Sequence, residues 1–168
     1  VMGNGKPHKN LGIILKCSQR LEREIVFAGV PEENRVYWRE NETGSRVRWI
    51  RYIPDDALPA LLRQAFCLAQ PSTVEGYGFP PLEAMACGTP AVISDIPVLA
   101  ETTGGHALKA DPFSPDDWVR AFVKLEQADV YRERVKSGLA WTAPLKGRPA
   151  WNAHIGDIKT ILGSSLSR

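Results

Sequence analysis

Two glutamates mark the part of the chain best suited to chemistry. Glu75 and Glu83 stand eight positions apart within PSTVEGYGFPPLEAMACGTPAVISD, residues 71–95. A carboxylate only accepts hydrogen bonds, so Glu75 could receive them from sugar hydroxyls. Glu83 is expected one turn into a helix, on the side that could take both hydroxyls of a ribose. Singly, each also fits a plainer role, Glu75 as a solvated loop residue and Glu83 as a favourable charge near a helix start.

A short turn with two glycines separates the glutamates. Gly76 and Gly78 flank Tyr77, and glycine permits backbone conformations that a β-carbon forbids and a close approach to a ligand. Two prolines open the helix expected over residues 80–87, because a proline in the first turn loses only an N–H that has no intrahelical partner. Gly88 suits a left-handed cap at the end of this helix. The amides and dipole at its start predict an anion site that fits a diphosphate.

The same stretch resembles the sugar-nucleotide site of retaining glycosyltransferases with the two-domain GT-B fold. The C-terminal halves of that family carry the pattern E-G-F/Y-G-x-P-x-x-E-A-M-A-x-G-x-P, and every fixed position of it is filled here. The resemblance implies that Glu75 contacts the donor sugar as a catalytic residue and that Glu83 binds the ribose of the nucleotide. It also implies donor contacts from the turn between them, at Gly76, Tyr77, Gly78 and Phe79.

A lysine near the start of the chain is the second expected catalytic residue. The segment GKPHKNLGIILK, residues 5–16, resembles the start of the donor domain in mannosyltransferase-like members of the family. The resemblance implies that Lys9 binds the diphosphate and stabilises its charge as it leaves, and a compact ammonium suits that task. The arginine usual a few residues upstream is replaced by Asn4. Either Lys6 substitutes as a donor-binding cation, or the loop relies on backbone amides and Lys9.

Two further segments extend the resemblance over most of the chain. RYIPDDALPALLRQAFCLAQPS, residues 51–72, resembles the family stretch in which a turn residue meets the nucleobase, and this assigns Ile53 to donor binding. SDIPVLAETTGGHALKADPFSPDDW, residues 94–118, matches the segment after the second glutamate. On the loop into the site, backbone contacts are expected from Ser72, Thr73 and Val74, and hydroxyl chemistry is not required.

Composition limits the class of protein. The chain has 168 residues, 24% of them charged, and a formal net charge of +2. These values indicate one globular domain and argue against a nucleic-acid binder or a disordered tail. No apolar run approaches the ~20 residues that span a bilayer, and no signal peptide is recognisable at Val1. The cysteines are odd in number and lack C-x-x-C spacing, so we expect buried thiols in a cytoplasmic protein: Cys17, Cys67 and Cys87.

Short apolar runs alternate with amphipathic stretches as far as residue 113, which is typical of a parallel sheet with helices on both faces. The predicted strands are Ile25 to Gly29, Val47 to Ile50, Cys67 to Gln70, Ala91 to Ser94 and His106 to Lys109. The predicted helices run from Asn10 as N-cap to Leu21, over residues 31–44, from Asp55 and Asp56 to Ala65, and from Pro97 to Thr103. Helices then dominate residues 114–163, at 115–128, 131–141 and 149–162. The fold class is α/β and Rossmann-like, and the resemblance makes it the C-terminal half of a GT-B fold.

The expected protein is a single nucleotide-sugar-binding domain over residues 1–168. A GT-B enzyme places its acceptor on an N-terminal domain, and Val1 to Gly3 resemble the tail of the donor domain's first strand. The acceptor domain is therefore expected to lie outside this sequence, and the donor domain alone should turn over little, because proximity and water exclusion need both walls of the cleft.

The resemblance also implies an activity and its partners. It implies a hexosyltransferase of polysaccharide biosynthesis that moves a hexose from a nucleoside diphosphate sugar to a saccharide or lipid-linked acceptor, with retention at the anomeric carbon. The P-H-K-N segment favours GDP-mannose as the donor. The expected location is cytoplasmic, and the full-length enzyme could associate peripherally with a membrane.

Two alternatives stay open at this point. One is another enzyme of the same architecture, such as a sugar-nucleotide epimerase or a glycan synthase. The other is a non-catalytic sugar-nucleotide-binding module, which stays open because Asn4 stands where the family usually has an arginine. No cofactor is expected, and no metal, because His106 and His154 have no partner at metal-ligand spacing. Residues 3–6 lack the third glycine of a dinucleotide fingerprint, and neither a phosphate-loop motif nor a G-x-S-x-G motif occurs.

Overall fold

The computed structural model describes residues 1–38 and 46–145. The helix predicted over residues 149–162 lies outside the described residues, and so does the second half of the helix predicted over residues 31–44. Within the described ranges, strands and helices alternate in the predicted order. The strands are β1 Ile25–Ala28, β2 Val47–Ile50, β3 Leu68–Gln70, β4 Ala91–Ser94 and β5 Leu108–Ala110. The helices are α1 Leu11–Cys17, α2 Glu32–Arg35, α3 Leu58–Gln64, α4 Phe79–Ala86, α5 Pro97–Thr102, α6 Pro115–Leu125 and α7 Ala128–Thr142.

Every described strand pair is parallel. β1 pairs with β2 from Ile25 opposite Val47, and β4 lies between β3 and β5. The segment Val1–Gly3 lies parallel to β1 through a bridge between Met2 and Ala28. Parallel strands joined through helices confirm the predicted α/β class. The hydrogen bonds form two ladders, β1–β2 and β3–β4–β5, instead of one continuous sheet.

A cavity of about 670 Å³ lies between the two ladders. Its walls include Ile25 from β1, Leu68 from β3 and Phe122 from α6. The backbone nitrogen of Val1 donates to the carbonyl of Val26 at 2.9 Å. None of the residues predicted to bind the donor lines this cavity. The candidate site is therefore elsewhere, at the carboxyl ends of the strands.

Two apolar clusters hold helices on opposite faces of the β3–β4–β5 ladder. Successive residues of a strand point to opposite faces. Val92 of β4 packs in one cluster with residues of α1 and α6, where Trp118 is fully buried. Ile93 packs in the other with Met85 of α4 and Leu99 of α5. Burial of each large apolar side chain stabilises the fold by about 1.5–3 kcal/mol, and this packing fixes α4 and α5 beside the loops that follow the strands.

Two helix starts differ from the prediction. Asn10 precedes α1, but its side chain makes no capping hydrogen bond and its φ of 51° is left-handed. A 3₁₀ helix, Ser18–Arg20, completes the stretch predicted as the first helix. α3 begins after Asp55 and Asp56, which lie in a turn. A helix that began at Asp55 would need a backbone N–H from Pro59 in its second turn, and proline has none.

The other boundaries follow local hydrogen bonds. β2 and β4 begin and end where predicted. β5 begins after His106, because His106 donates its N–H to the carbonyl of Thr103 in the turn that ends α5. α7 begins at Ala128, ahead of the predicted Tyr131. Gly88 follows α4 with a left-handed φ of 81°, as predicted.

Candidate functional site

Three loops meet at the carboxyl ends of the strands. The side-chain amide of Asn10 donates to the carbonyl of Pro71 at 3.1 Å and to that of Pro112 at 2.7 Å. The N–H of Thr73 donates to the carbonyl of His8 at 2.9 Å. These bonds join the loop before α1 to the loops that follow β3 and β5. Parallel α/β sheets bind their ligands at this edge.

Lys9 and Glu75 contact each other across two of these loops. The Lys9 ammonium donates to Oε1 of Glu75 at 2.8 Å and to Oε2 at 3.0 Å. The two side chains are only 17% and 10% exposed, so neither is a solvated surface charge. Gly3, with a φ of 142°, lies beside the Lys9 stem, where a Cβ would come within 3.4 Å of it. The structure thus places the predicted phosphate-binding cation against the predicted sugar-binding carboxylate.

Two neutral side chains complete the partners of Glu75. Gln70 donates through Nε2 to Oε1 of Glu75 at 2.5 Å, and Ser72 donates through Oγ to the same oxygen at 2.7 Å. Burial alone would raise the pKa of Glu75, but the hydrogen bonds from Lys9, Ser72 and Gln70 and the Lys9 charge outweigh it and hold the pKa below its usual value. Glu75 is therefore ionised. Ser72 acts here through its hydroxyl, which the sequence did not predict.

The turn before α4 uses its two glycines differently. Gly78 has a φ of 92°, and a Cβ there would lie 2.5 Å from Cδ2 of Leu99 in α5. Thr102 of α5 donates to the carbonyl of Tyr77 at 2.6 Å. Gly76 has no left-handed φ, and a Cβ there would meet nothing within 4 Å. The predicted conformational need for glycine is confirmed at Gly78 and wrong at Gly76, which leaves open space beside the backbone instead.

The start of α4 offers few amide donors of its own. The helix begins at Phe79, so Pro80 and Pro81 fill its next two positions, and neither has an N–H. No described protein acceptor receives the N–H of Gly76 or of Gly78. An anion at this end of α4 would therefore accept hydrogen bonds from the N–H groups of residues that precede Pro80, such as Gly76 and Gly78.

Glu83 projects from α4 as an exposed residue, and its carboxylate makes no hydrogen bond or ion pair with any described residue. Partial burial against the protein, and then the nearby carboxylate of Asp55, raise the pKa of Glu83. Asp55 lies in the turn that follows the half-buried Ile53. The structure thus brings the segment predicted to meet the nucleobase beside the residue predicted to meet the ribose.

Two aromatic side chains lie at the turn before α4. The rings of Tyr77 and Phe79 lie 4.7 Å apart and are both partly exposed.

Lys6 does not join the Lys9–Glu75 contact. Its side chain is exposed and makes no hydrogen bond or ion pair within the described part of the chain. Asn4 shapes the loop instead, because its Oδ1 accepts the N–H of Lys6 at 3.2 Å and its carbonyl accepts from Asn34 at 2.7 Å. Both possibilities left by the sequence therefore stay predictions, Lys6 as a donor-binding cation and Lys9 acting with backbone amides.

Comparison with known proteins identifies the family. Residues 1–138 match the family described as Glycosyl transferases group 1. The chain belongs to this family. It is 37% identical over 142 residues to the O-antigen chain mannosyltransferase B of Escherichia coli, which covers 79% of this chain and 37% of that protein. Over 86 residues it is 37% identical to the O-antigen chain mannosyltransferase RfbU of Salmonella typhimurium, which covers 51% of this chain and 24% of that protein. The chain spans well under half the length of these curated relatives.

Solved structures show the fold of this group 1 glycosyltransferase chain. The sucrose-phosphate synthase of Thermosynechococcus elongatus superposes with a TM-score of 0.82 at 21% identity, over 97% of this chain and 44% of that one. Anabaena HepE in complex with UDP and glucose superposes with a TM-score of 0.78 at 17% identity, over 92% of this chain and 46% of that one. These likenesses confirm the predicted Rossmann-like architecture of a GT-B glycosyltransferase.

Sequence reasoning did not single out Gln70, although it belongs to this glycosyltransferase site. It ends β3 and is 1% exposed, and its Oε1 has no hydrogen-bond partner among the described residues. An unpaired buried polar group costs about 1–3 kcal/mol. The signal in the sequence was a glutamine at the end of the apolar run CLAQ, where an apolar side chain would pack without that cost.

We also searched the described part of the glycosyltransferase chain for metal-binding groups, membrane-spanning helices and reactive cysteines. In residues 1–38 and 46–145, no group of three or more His, Cys, Asp or Glu side chains is arranged to hold a metal ion. No described helix combines the length and apolar character needed to cross a membrane. Cys17 is buried as predicted, whereas Cys67 and Cys87 are half-buried, and all three are free thiols. Burial raises the pKa of Cys17 and of Cys67 to about 11. His154 lies outside the described residues.

Proposed function

We propose that this chain is the donor-binding domain of a retaining hexosyltransferase that uses a nucleoside diphosphate sugar. The contact between Lys9 and Glu75 at the carboxyl ends of the strands carries the proposal. It sets a cation for a leaving diphosphate beside a carboxylate for the hydroxyls of the transferred sugar. The family supports the reaction class, and the retaining outcome follows the resemblance noted in the sequence.

The diphosphate is assigned to Lys9 and to the N–H groups of Gly76 and Gly78. Open space beside Gly76 lets a phosphate approach the backbone, because a Cβ built there meets nothing within 4 Å. Negative charge grows on the diphosphate as its bond to the sugar breaks. A fixed ammonium and fixed amides stabilise that charge most in the transition state, which is where stabilisation raises the rate.

The sugar and the nucleoside are assigned to the two glutamates and their neighbours. The ionised Glu75 accepts hydrogen bonds from hydroxyls of the hexose. The unpaired carboxylate of Glu83 accepts from the ribose, and Ile53, in the segment beside it, contacts the base. Tyr77 and Phe79 present partly exposed rings on the same turn.

GDP-mannose is the donor we propose, with a saccharide or lipid-linked acceptor in polysaccharide biosynthesis. The names of the O-antigen mannosyltransferases among its relatives support mannose. The UDP and glucose bound to HepE make UDP-glucose the competitor to test. The acceptor is assigned to a domain outside residues 1–168. A cytoplasmic location fits the three free thiols. Peripheral membrane association would bring the full-length enzyme to a lipid-linked acceptor.

Calorimetric titration of this chain with GDP, UDP and ADP, and with their sugars, tests the site. We expect saturable binding of GDP-mannose that weakens about tenfold or more in Glu83→Gln, because a charged hydrogen bond contributes about 1.5–3 kcal/mol. Glu101→Gln, on the exposed side of α5, is the matched control and should bind like the wild type. Failure of both this chain and the full-length protein to bind any of these nucleotides would overturn the proposal.

Product analysis with the full-length protein separates the alternatives. A mannoside with the anomeric configuration of the donor, identified by NMR, is the expected product. An epimerised sugar nucleotide would indicate an epimerase of the same architecture. Tight donor binding without any product from saccharide or lipid-linked acceptors would indicate a non-catalytic binding module.

A further inference from the structure

The two oxygens of the Glu75 carboxylate have unequal surroundings. Oε1 receives hydrogen bonds from Lys9, Gln70 and Ser72, whereas Oε2 receives one, from Lys9. Each carboxylate oxygen offers about two lone-pair sites, so Oε1 is fully used and Oε2 retains acceptor capacity. The carboxylate is thus anchored through one oxygen and available through the other.

Gln70 reaches Glu75 from the apolar floor of the site. It lies opposite Ile93 in the register of β3 and β4, so the two side chains share a face of the ladder, and Ile93 packs there with Met85 and Leu99. The Nε2 of Gln70 also donates to Oγ of Ser72 at 3.0 Å. The three side chains of Gln70, Ser72 and Glu75 therefore form one connected set of hydrogen bonds.

Apolar packing does not explain a glutamine at this position. Its Oε1 is buried without a partner in the described structure, and an apolar side chain of similar size would avoid that defect. What Gln70 supplies is a neutral donor to a carboxylate. Residues that break a local rule in this way are expected at functional sites.

We propose that Gln70, together with Ser72, is a positioning residue that fixes Glu75 with its Oε2 toward the donor sugar while Lys9 serves the diphosphate. The proposal rests on the proposed function and adds residues to it. An ammonium has three protons, and a diphosphate competes with Glu75 for those of Lys9. Two neutral donors on Oε1 keep the carboxylate in place and ionised when that competition begins.

Affinities for a sugar nucleotide and for the bare nucleotide separate positioning from a structural role. In Gln70→Met, GDP-mannose affinity should fall about tenfold while GDP affinity changes by less than about twofold, since Glu75 is assigned to the sugar alone. The substitution removes the unpaired Oε1 and also the hydrogen bond from Nε2 to the charged Glu75, so the two effects on the melting temperature oppose each other and the variant should stay folded. Gln64→Met, at the exposed end of α3, is the matched control and should change neither affinity. Equal losses for GDP and GDP-mannose, or no loss for either, would overturn the proposal.

The titration of Glu75 gives a second readout that needs no nucleotide. Lys9 is the charged partner that the described structure places against Glu75, and Gln70 and Ser72 are neutral. Carbon-13 NMR should show a Glu75 pKa that rises from wild type to Gln70→Met and again to Lys9→Met/Gln70→Met. An unchanged pKa in Gln70→Met would contradict the positioning role.

The two experiments fail independently. If neither this chain nor the full-length protein binds a sugar nucleotide but the pKa order holds, the proposed function is wrong and the anchoring of Glu75 by Gln70 stands. If GDP-mannose binds and Gln70→Met leaves both the affinity and the pKa unchanged, the proposed function stands and Gln70 has no part in it.

Discussion

The ammonium of Lys9 lies 2.8 Å from the carboxylate of Glu75, although 66 positions separate the two residues in the chain. The loop of Lys9 follows the segment Val1–Gly3 paired with β1, and the loop of Glu75 follows β3. Folding thus joins residues that belong to different ladders of the fold. Because both side chains are largely buried, the same contact affects ligand binding and stability, and substitutions can separate the two effects.

Replacing Lys9 with methionine should weaken GDP binding about ten- to hundredfold, because a charged hydrogen bond contributes about 1.5–3 kcal/mol. Methionine keeps the length of the stem that lies beside Gly3. Lys16→Met is the matched control, since Lys16 is exposed on α1. Calorimetric titration of both variants with GDP measures the difference. Equal affinities in the two variants would show that Lys9 does not bind phosphate.

Glu75 should make stability depend on pH in the acid range. Burial alone would raise its pKa, but its donors hold the pKa below the 4.5 of an unperturbed glutamate. The stability it contributes is therefore present above that value and is lost as the pH falls through the pKa of the folded protein. Glu75→Gln should be less stable than wild type by about 1–3 kcal/mol at neutral pH, with a difference that shrinks below pH 4.5. Urea denaturation at a series of pH values measures it, and a difference constant with pH would contradict the assignment.

Glu83 should show the opposite pH dependence. Partial burial and the Asp55 carboxylate raise its pKa, so the stability that its protonated form contributes is present at acid pH and is lost as the pH rises through the folded pKa. Glu83→Gln should match wild type at acid pH and gain less than about 1 kcal/mol at neutral pH, because the residue is exposed. The same urea series measures this change. Destabilisation of Glu83→Gln at neutral pH would show that the carboxylate has a structural partner.

The two glycines of the turn should respond differently to alanine. Gly78→Ala should destabilise the fold by about 2–4 kcal/mol, because a left-handed φ costs about 1–2 kcal/mol and contact with Leu99 adds overpacking. Gly76→Ala should change stability by less than about 0.5 kcal/mol but weaken GDP binding, since its methyl group enters the open space assigned to phosphate. Thermal melts and calorimetry of both variants measure these effects. Destabilisation of Gly76→Ala equal to that of Gly78→Ala would contradict the different roles of the two positions.

The strands were predictable because they depend on local pattern, and the meeting of Lys9 and Glu75 because both segments resemble one family. Apolar runs bounded by turn residues set β2 and β4. The loop motif assigned Glu75 and the P-H-K-N segment assigned Lys9 to the donor site, and parallel strands bring their loops to one edge. The start of α3 was not predictable from its acidic residues alone, because the missing N–H of Pro59 overrides the capping signal of Asp55.

The parts that sequence reasoning missed depend on tertiary packing. The role of Gln70 depends on its hydrogen bond to Glu75, which lies in the loop after β3, and this contact is visible only in the folded structure. Gly76 and Gly78 are the same residue type two positions apart, and only the position of Leu99 and the backbone dihedral distinguish them. Asn10 looked like a helix cap, whereas its amide is used to join loops.

Asn10 should link the stability of the fold to the geometry of the site. Its left-handed φ of 51° is one that glycine also adopts, so Asn10→Gly removes the side-chain bonds to Pro71 and Pro112 without backbone strain. Two lost hydrogen bonds should cost about 1–3 kcal/mol, and Asn10→Ala should cost about 1–2 kcal/mol more, because alanine is strained at this φ. Urea denaturation gives the order of the three proteins. At temperatures where the Asn10→Gly variant is folded, it should also bind GDP more weakly than wild type. Lys9 directly precedes Asn10, so losing the Asn10 bonds to the neighbouring loops leaves Lys9 without a fixed position. Wild-type stability in Asn10→Gly would show that these two hydrogen bonds do not hold the loops together, and wild-type GDP affinity would show that Lys9 is positioned by other contacts.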